Sequence, residues 1–168
     1  MIRKITVALA ALALSAATPV FAQETAVEVD PKYTWDLTEI YPTVDEWSAA
    51  RDAVMARFES IEALRGTLGN SANDLYEALA LVSDTSREAA RVSVYASLNA
   101  DEDLRVTETQ ERRQLAQLMY ARFNESTAWM QPEILRVGED VIKAFIAEDE
   151  RLARFAFQLD NSLRNAPH

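Results

Sequence analysis

Cysteine is absent from this chain of 168 residues, and histidine occurs once. Thiolates and imidazoles supply many of the metal ligands, nucleophiles and bases of enzymes, so these scarcities exclude most metal and covalent chemistry from the chain's own residues. The lack of cysteine also excludes disulfides. A hydrophobic core must therefore stabilise any folded domain.

Glycine is scarce as well, with three residues, and the chain has no Asn-Gly or Asp-Gly pair of the kind that closes a β-hairpin. No segment alternates between apolar and polar residues for long enough to predict a strand. Apolar residues recur instead at helical spacing. The sequence therefore predicts an all-α fold, a helical bundle of five to seven helices.

Basic residues are outnumbered, 17 against 27 acidic ones, and the formal net charge is −10. Such a surface repels nucleic-acid phosphates and anionic lipid headgroups. We expect no nucleic-acid partner, and no membrane association once the amino-terminal segment has been removed.

That segment, residues 1–22, has the features of a cleaved signal peptide. Arg3 and Lys4 precede an apolar stretch over residues 5–17, and small residues lead to a cut after Ala22. The alternative is a membrane anchor, but a helix of that apolar length rises only about 20 Å, against a hydrocarbon core of about 30 Å. We therefore predict an exported protein, periplasmic or secreted.

The next residues, 23–32, are polar and lack periodicity, which predicts a flexible lead. Residues 33–168 are predicted to form one helical domain. It opens with a non-helical arm packed on the first helix, and a ligand-binding aromatic cluster is the alternative interpretation. The apolar residues of this arm are Trp35, Leu37, Ile40 and Tyr41.

The first helix is predicted over residues 44–64. Thr43 and Glu46 have the spacing of a capping box, and Gly66 follows as a stop signal. The large apolar residues of this helix share one face. They are Trp47, Val54, Phe58 and Ile61.

A second helix start lies at Ser71, with Asp74 three residues on. Four small polar residues at 83–86 interrupt the apolar stripe, which resumes on a new face. We predict two helices with a tight break there. A single kinked helix is the alternative, since nothing in residues 83–86 forbids helical dihedral angles.

The acidic residues Asp101, Glu102 and Asp103 resemble the start of a calcium loop. Arg105 stands where the third acidic ligand is required, and Val106 where the loop needs glycine. We therefore expect these carboxylates to lie at the amino terminus of the next helix, where they oppose its positive dipole end.

That next helix is predicted over residues 104–130. Pro132 then suits the first turn of a short helix that Gly138 ends, and a further apolar face follows from Val141 to Ile146. Acidic residues at 148–150 open the last predicted helix. Its inward residues are Leu152, Phe155, Leu159 and Leu163.

Four segments resemble one known family in order and spacing. They are WDLTEIYP at 35–42, YASL at 95–98 followed by Asp101 and Asp103, PEIL at 132–135, and NAPH at 165–168. Together they resemble the amino-terminal helical lobe of the oligoendopeptidase F family, zinc metallopeptidases related to thimet oligopeptidase.

The resemblance implies zinc-dependent hydrolysis of oligopeptides by the complete protein. In that family a His-Glu-x-x-His helix and a further Glu hold the zinc, and this chain contains no such motif. We therefore nominate no catalytic, cofactor-binding or metal-binding residue here, and expect this chain alone to be inactive. His168 is interpreted as structural.

The absence of the zinc motif leaves two explanations, a fragment of a longer peptidase or a naturally short product. The first is favoured, because the motif at residues 165–168 leads into further helical sequence in the family. The implied partners are the chain's own catalytic domain and, through the complete protein, oligopeptides.

Two other classes of function remain as alternatives. One is a freestanding acidic helical module that binds or scaffolds other proteins. The other is an enzyme acting through its own carboxylates, although Glu139 and Asp140 have ordinary explanations at a helix start.

A severed lobe would expose apolar surface. Phe157 is the best candidate, because it lies off the apolar stripe of the last helix. The other large residues considered for this surface are Trp47, Phe58, Tyr95, Phe123 and Phe155.

Overall fold

A computed structural model describes residues 35–164. The predicted signal peptide, the predicted flexible lead and residues 165–168 lie outside these described residues. Residues 35–164 contain six α-helices and one 3₁₀ helix, and no strand, which confirms the all-α prediction. No helix in this range combines the length and apolar character that crossing a membrane requires.

Helix α1, Val44–Glu62, begins where the sequence predicts. The Thr43 side chain accepts the backbone N–H of Glu46 at 3.2 Å, which satisfies one of the free donors of the first turn. The helix ends two residues earlier than predicted, and the loop that follows contains Gly66 at φ +89°. A positive φ favours glycine at this position.

Helix α2, Ala72–Glu102, runs without interruption through residues 83–86. The prediction of two helices is therefore wrong, and residues 72–102 form a single helix. The buried hydroxyl of Thr85 donates to the carbonyl oxygen of Leu81 at 2.7 Å, so this polar group is satisfied inside the helix. With no glycine or proline in the stretch, nothing ends the helix there.

Helix α3, Thr107–Thr127, is shorter at both ends than predicted. Residues 103–106 form the turn before it, closed by a backbone hydrogen bond from Val106 N–H to the carbonyl oxygen of Asp103. Asp101 and Glu102 therefore end α2. Their predicted place at the amino terminus of the next helix is wrong.

The carboxyl-terminal third is built from short helices: α4 Met130–Val137, α5 Glu139–Glu148, the 3₁₀ helix Glu150–Phe155 and α6 Ala156–Arg164. Pro132 lies in the first turn of α4, as predicted, and Gly138 joins α4 to α5 at φ +88°. The predicted last helix is thus two elements, because Asp149 caps a 3₁₀ turn by accepting the N–H of Arg151 at 3.0 Å.

Buried residues form two hydrophobic clusters. The first joins the amino-terminal half of α2 to α4, α5, the 3₁₀ helix and α6, and includes Ile61 of α1 and Phe123 of α3. The second joins the arm, α1, the rest of α2 and α3. Phe58 and Tyr120 pack against both clusters. The predicted inward residues Leu152, Phe155 and Leu159 are buried, and Leu163 is partly buried.

Candidate functional site

The acidic cluster at residues 101–103 is where the sequence raised the possibility of a bound ion. Asp101 pairs with Arg113 of α3. Asp103 accepts two hydrogen bonds from the Arg105 side chain, at 2.9 and 3.0 Å, and these bonds hold the pKa of Asp103 down at about 2. The two aspartates therefore stabilise the turn between α2 and α3.

The YASL segment and Asn99 after it lie in the last two turns of α2 and contact α3. Arg113 Nη2 donates to the carbonyl oxygen of Ser97 at 2.8 Å. Arg112 donates to Asn99 Oδ1 from two nitrogens, at 2.7 and 3.1 Å. Charged donors make the stronger hydrogen bonds, so the bonds to Ser97 and Asn99 together hold α3 against the end of α2.

The WDLTEIYP segment lies beside both long helices. Leu37 and Ile40 pack against the cluster that contains α1 residues, as predicted. Two hydrogen bonds join it to α2: Glu102 accepts the Trp35 N–H at 3.0 Å, and Arg91 donates to the carbonyl oxygen of Ile40 at 3.2 Å. Trp35 is 58% exposed and belongs to neither buried cluster, so the prediction that it packs on the first helix is wrong.

Tyr41 belongs to a group of three aromatic residues, with Tyr95 and Trp47. Its ring meets Tyr95 edge-on with centroids 5.5 Å apart, and Tyr95 stacks on Trp47 at 6.4 Å. Arg91 lies over the Tyr41 ring. Burial raises the pKa of the Tyr41 phenol, and the positive charge of Arg91 opposes that rise. The three rings are buried and pack against one another, so they form part of the hydrophobic core.

Glu133, in the PEIL segment, is a buried charged side chain whose structural role the sequence did not predict. Its side chain is in α4 and only 4% of the residue is exposed. One carboxylate oxygen accepts the N–H of Gly66 at 2.7 Å, and the other accepts the N–H of Leu68 at 2.9 Å. The carboxylate thus holds the loop between α1 and α2 against α4.

A signal for this role exists in the sequence. Met130 and Ile134 face the core, and Glu133 shares their side of α4. A carboxylate on an inward face requires hydrogen-bond donors. Those donors are backbone N–H groups of a loop that is distant in sequence, so the pattern of side chains does not predict which groups they are.

The known proteins to which this chain is similar are peptidases. The family model for Oligopeptidase F matches residues 133–168, which include α5 and α6. The chain is 30% identical to Oligopeptidase PepF of Bacillus subtilis over 141 residues, which are 84% of this chain and 21% of that protein. The chain corresponds to the amino-terminal region of the oligoendopeptidase F family. The predicted family is confirmed.

A further relative and a solved structure are also similar to this chain. Group B oligopeptidase PepB of Streptococcus agalactiae is 29% identical over 140 residues, 83% of this chain and 23% of that protein. The crystal structure of oligoendopeptidase-F from Enterococcus faecium matches with a TM-score of 0.68 at 24% identity, covering 73% of this chain and 24% of that one. This likeness shows the fold. The chain spans between 21% and 24% of the length of these proteins.

Oligoendopeptidase F proteins are metallopeptidases, and the described residues do not fit a zinc site. Within residues 35–164 no group of three His, Cys, Asp or Glu side chains is placed to hold a metal ion. His168, the one histidine of the chain, lies outside the described residues.

A cavity of about 250 Å³ lies where α2, α3 and α6 meet in this oligoendopeptidase F region. Among residues 35–164 no ionisable residue lines it, so the chemistry of its walls suits an uncharged group. Its apolar walls are Leu79, Val82 and Phe123, and its polar ones are Ser83, Ser86, Thr127 and Gln158.

Phe157 is the most exposed large apolar residue in the described part of the oligoendopeptidase F region. Of its surface 81% is accessible, whereas Phe155, two positions earlier, is 5% exposed. The prediction that Phe157 lies off the buried stripe is confirmed. The other five large residues considered for an exposed surface are buried or partly buried: Trp47, Phe58, Tyr95, Phe123 and Phe155.

Proposed function

We propose that this chain forms the amino-terminal, non-catalytic domain of an exported zinc metalloendopeptidase that hydrolyses oligopeptides. The observation that carries the proposal is the similarity to Oligopeptidase PepF, which extends over 84% of this chain but only 21% of that protein. Since residues 35–164 contain no metal-binding group, the zinc ligands and the general base belong to sequence outside this range.

In this proposal the domain covers one side of a substrate channel. Such a cover admits oligopeptides and excludes folded proteins by shape, so its own helices must keep a fixed arrangement. Three ties between distant segments support that rigidity: Glu133 to the loop after α1, Arg112 to Asn99, and the indole N–H of Trp47 to the carbonyl oxygen of Val92 at 2.9 Å.

Export is the second element of the proposal. It is supported by the positive and then apolar segment in residues 1–22, with small residues before a cut at Ala22. The mature protein would act in the periplasm or outside the cell.

The reading frame that encodes this chain provides a direct test. We expect it to continue past His168 and to encode a His-Glu-x-x-His motif, and we expect the purified product of the full frame to contain one zinc ion per chain by elemental analysis. A natural stop directly after His168 would contradict the proposal and favour a freestanding binding module. A longer product without zinc would also contradict it.

A further inference from the structure

The exposed ring of Phe157 has a specific setting. It projects from α6, whose Leu159 is buried and whose preceding residue Phe155 is buried as well. One turn further along the helix, Asp160 pairs with Arg164. An apolar ring beside charged groups has the composition of a protein contact, in which an apolar anchor is surrounded by a polar rim.

A second feature lies on the same helix. Gln158, the residue after Phe157, lines the uncharged cavity of about 250 Å³ between α2, α3 and α6. The exposed ring and the residue that lines the cavity are therefore neighbours in the sequence of one short helix. Within the described residues the lining of this cavity is uncharged, whereas the ion pair of Asp160 with Arg164 lies at the rim of the exposed ring.

We propose that Phe157 anchors the contact between this domain and the polypeptide that follows residue 168 in the complete protein. The inference rests on the proposed function, in which a catalytic region follows. Phe157 lies seven residues before the end of α6 at Arg164, about 10 Å along a helix axis. A chain continuing from α6 therefore starts within reach of the ring.

The relatives support this occupant. The family match at residues 133–168 includes α6, and the proteins that share this region are about four times as long as the chain. A second copy of the chain is the other candidate occupant. Two copies that each carry a charge of −10 repel one another, which disfavours that pairing.

Cysteine labelling tests the proposal, because the 168 residues contain no natural cysteine. Phe157→Cys is introduced into this chain and into the product of the full reading frame. Labelling by a maleimide is followed at the peptide that contains position 157, using mass spectrometry. In the longer product we expect labelling at least about tenfold slower than in the short chain, because a covered thiol is shielded from the reagent.

Val94→Cys provides the matched control, since Val94 is also apolar and exposed, at 47%, and lies on α2. Its labelling rate should be the same in both products. Equal rates for Phe157→Cys in the two products would overturn the inference, while a zinc-containing longer product would still leave the proposed function standing. Slow, concentration-dependent labelling at position 157 in the short chain would also overturn it, because a second copy would then cover the ring.

Discussion

The carboxylate of Glu133 accepts the backbone N–H of Leu68 at 2.9 Å, across 65 positions of sequence. Its second oxygen accepts the N–H of Gly66 at 2.7 Å. A charged acceptor thus satisfies two donors of a tight loop whose glycine has a positive φ. The loop between α1 and α2 has its position because of a side chain from α4.

Glu133→Gln should lower the free energy of unfolding by about 2 kcal/mol, since one backbone N–H would then face an amide NH₂ instead of an acceptor. Chemical denaturation measures the change. Glu139→Gln is the matched control, because Glu139 is exposed and its pair with Lys143 lies in solvent, where an ion pair contributes little to stability. Equal losses in the two variants would contradict the role assigned to Glu133.

The continuity of α2 is testable with proline. Ser86→Pro would remove a helical hydrogen bond and clash with the preceding turn, at a cost of about 3 kcal/mol or more. Val44→Pro is the control, because Val44 is the first residue of α1 and proline is tolerated there. Thermal unfolding should show a large loss for Ser86→Pro only. Similar melting temperatures would indicate that α2 is broken at residues 83–86.

The pKa of Asp103 offers a test of the turn between α2 and α3. Its folded value of about 2 lies below the ordinary 3.8 because of hydrogen bonds from Arg105. The contribution to stability is therefore present above pH 3.8 and is lost as the pH falls through about 2. In an NMR titration, Arg105→Gln should move the midpoint of Asp103 up towards 3.8; an unchanged midpoint would be inconsistent with this pairing.

Phe157→Ser should raise the solubility of the 168-residue chain and leave its melting temperature nearly unchanged, because the ring contributes little to the core. Phe155→Ser removes a buried ring and should cost about 3 kcal/mol. Solubility and thermal unfolding of the two variants give the comparison. A large stability loss in Phe157→Ser would place that ring in the core.

Several elements of the fold are predictable because their causes are local. The cap at Thr43 and the buried spacing of Trp47, Val54 and Ile61 fix α1 from sequence alone. Pro132 at the start of α4 acts in the same way. Each of these signals depends on residues within a few turns of one another.

Other features depend on which hydrogen-bond or ion-pair partner a polar side chain finds, and the spacing of residues in the sequence does not show that. Small polar residues at 83–86 favour a break only if their hydroxyls lack partners in the helix, and Thr85 finds one at Leu81. The acidic residues at 101–103 suit a helix start, yet α2 extends through Glu102. There the pairing of Asp101 with Arg113 offsets the unfavourable dipole end.

The candidate site was the least predictable part. The sequence correctly identified Phe157 as lying off the buried stripe, because one helix determines that property. The role of Glu133 depends on a loop that is distant in sequence, so it required the three-dimensional structure.

The central claim is that this chain is the non-catalytic domain of a zinc oligopeptidase. Its most direct test is hydrolysis of a quenched oligopeptide by the 168-residue chain and by the product of the full reading frame, each with added zinc and with a chelator. The account predicts chelator-sensitive hydrolysis by the longer product only. Zinc-dependent hydrolysis by the 168-residue chain itself, or none by either product, would contradict it.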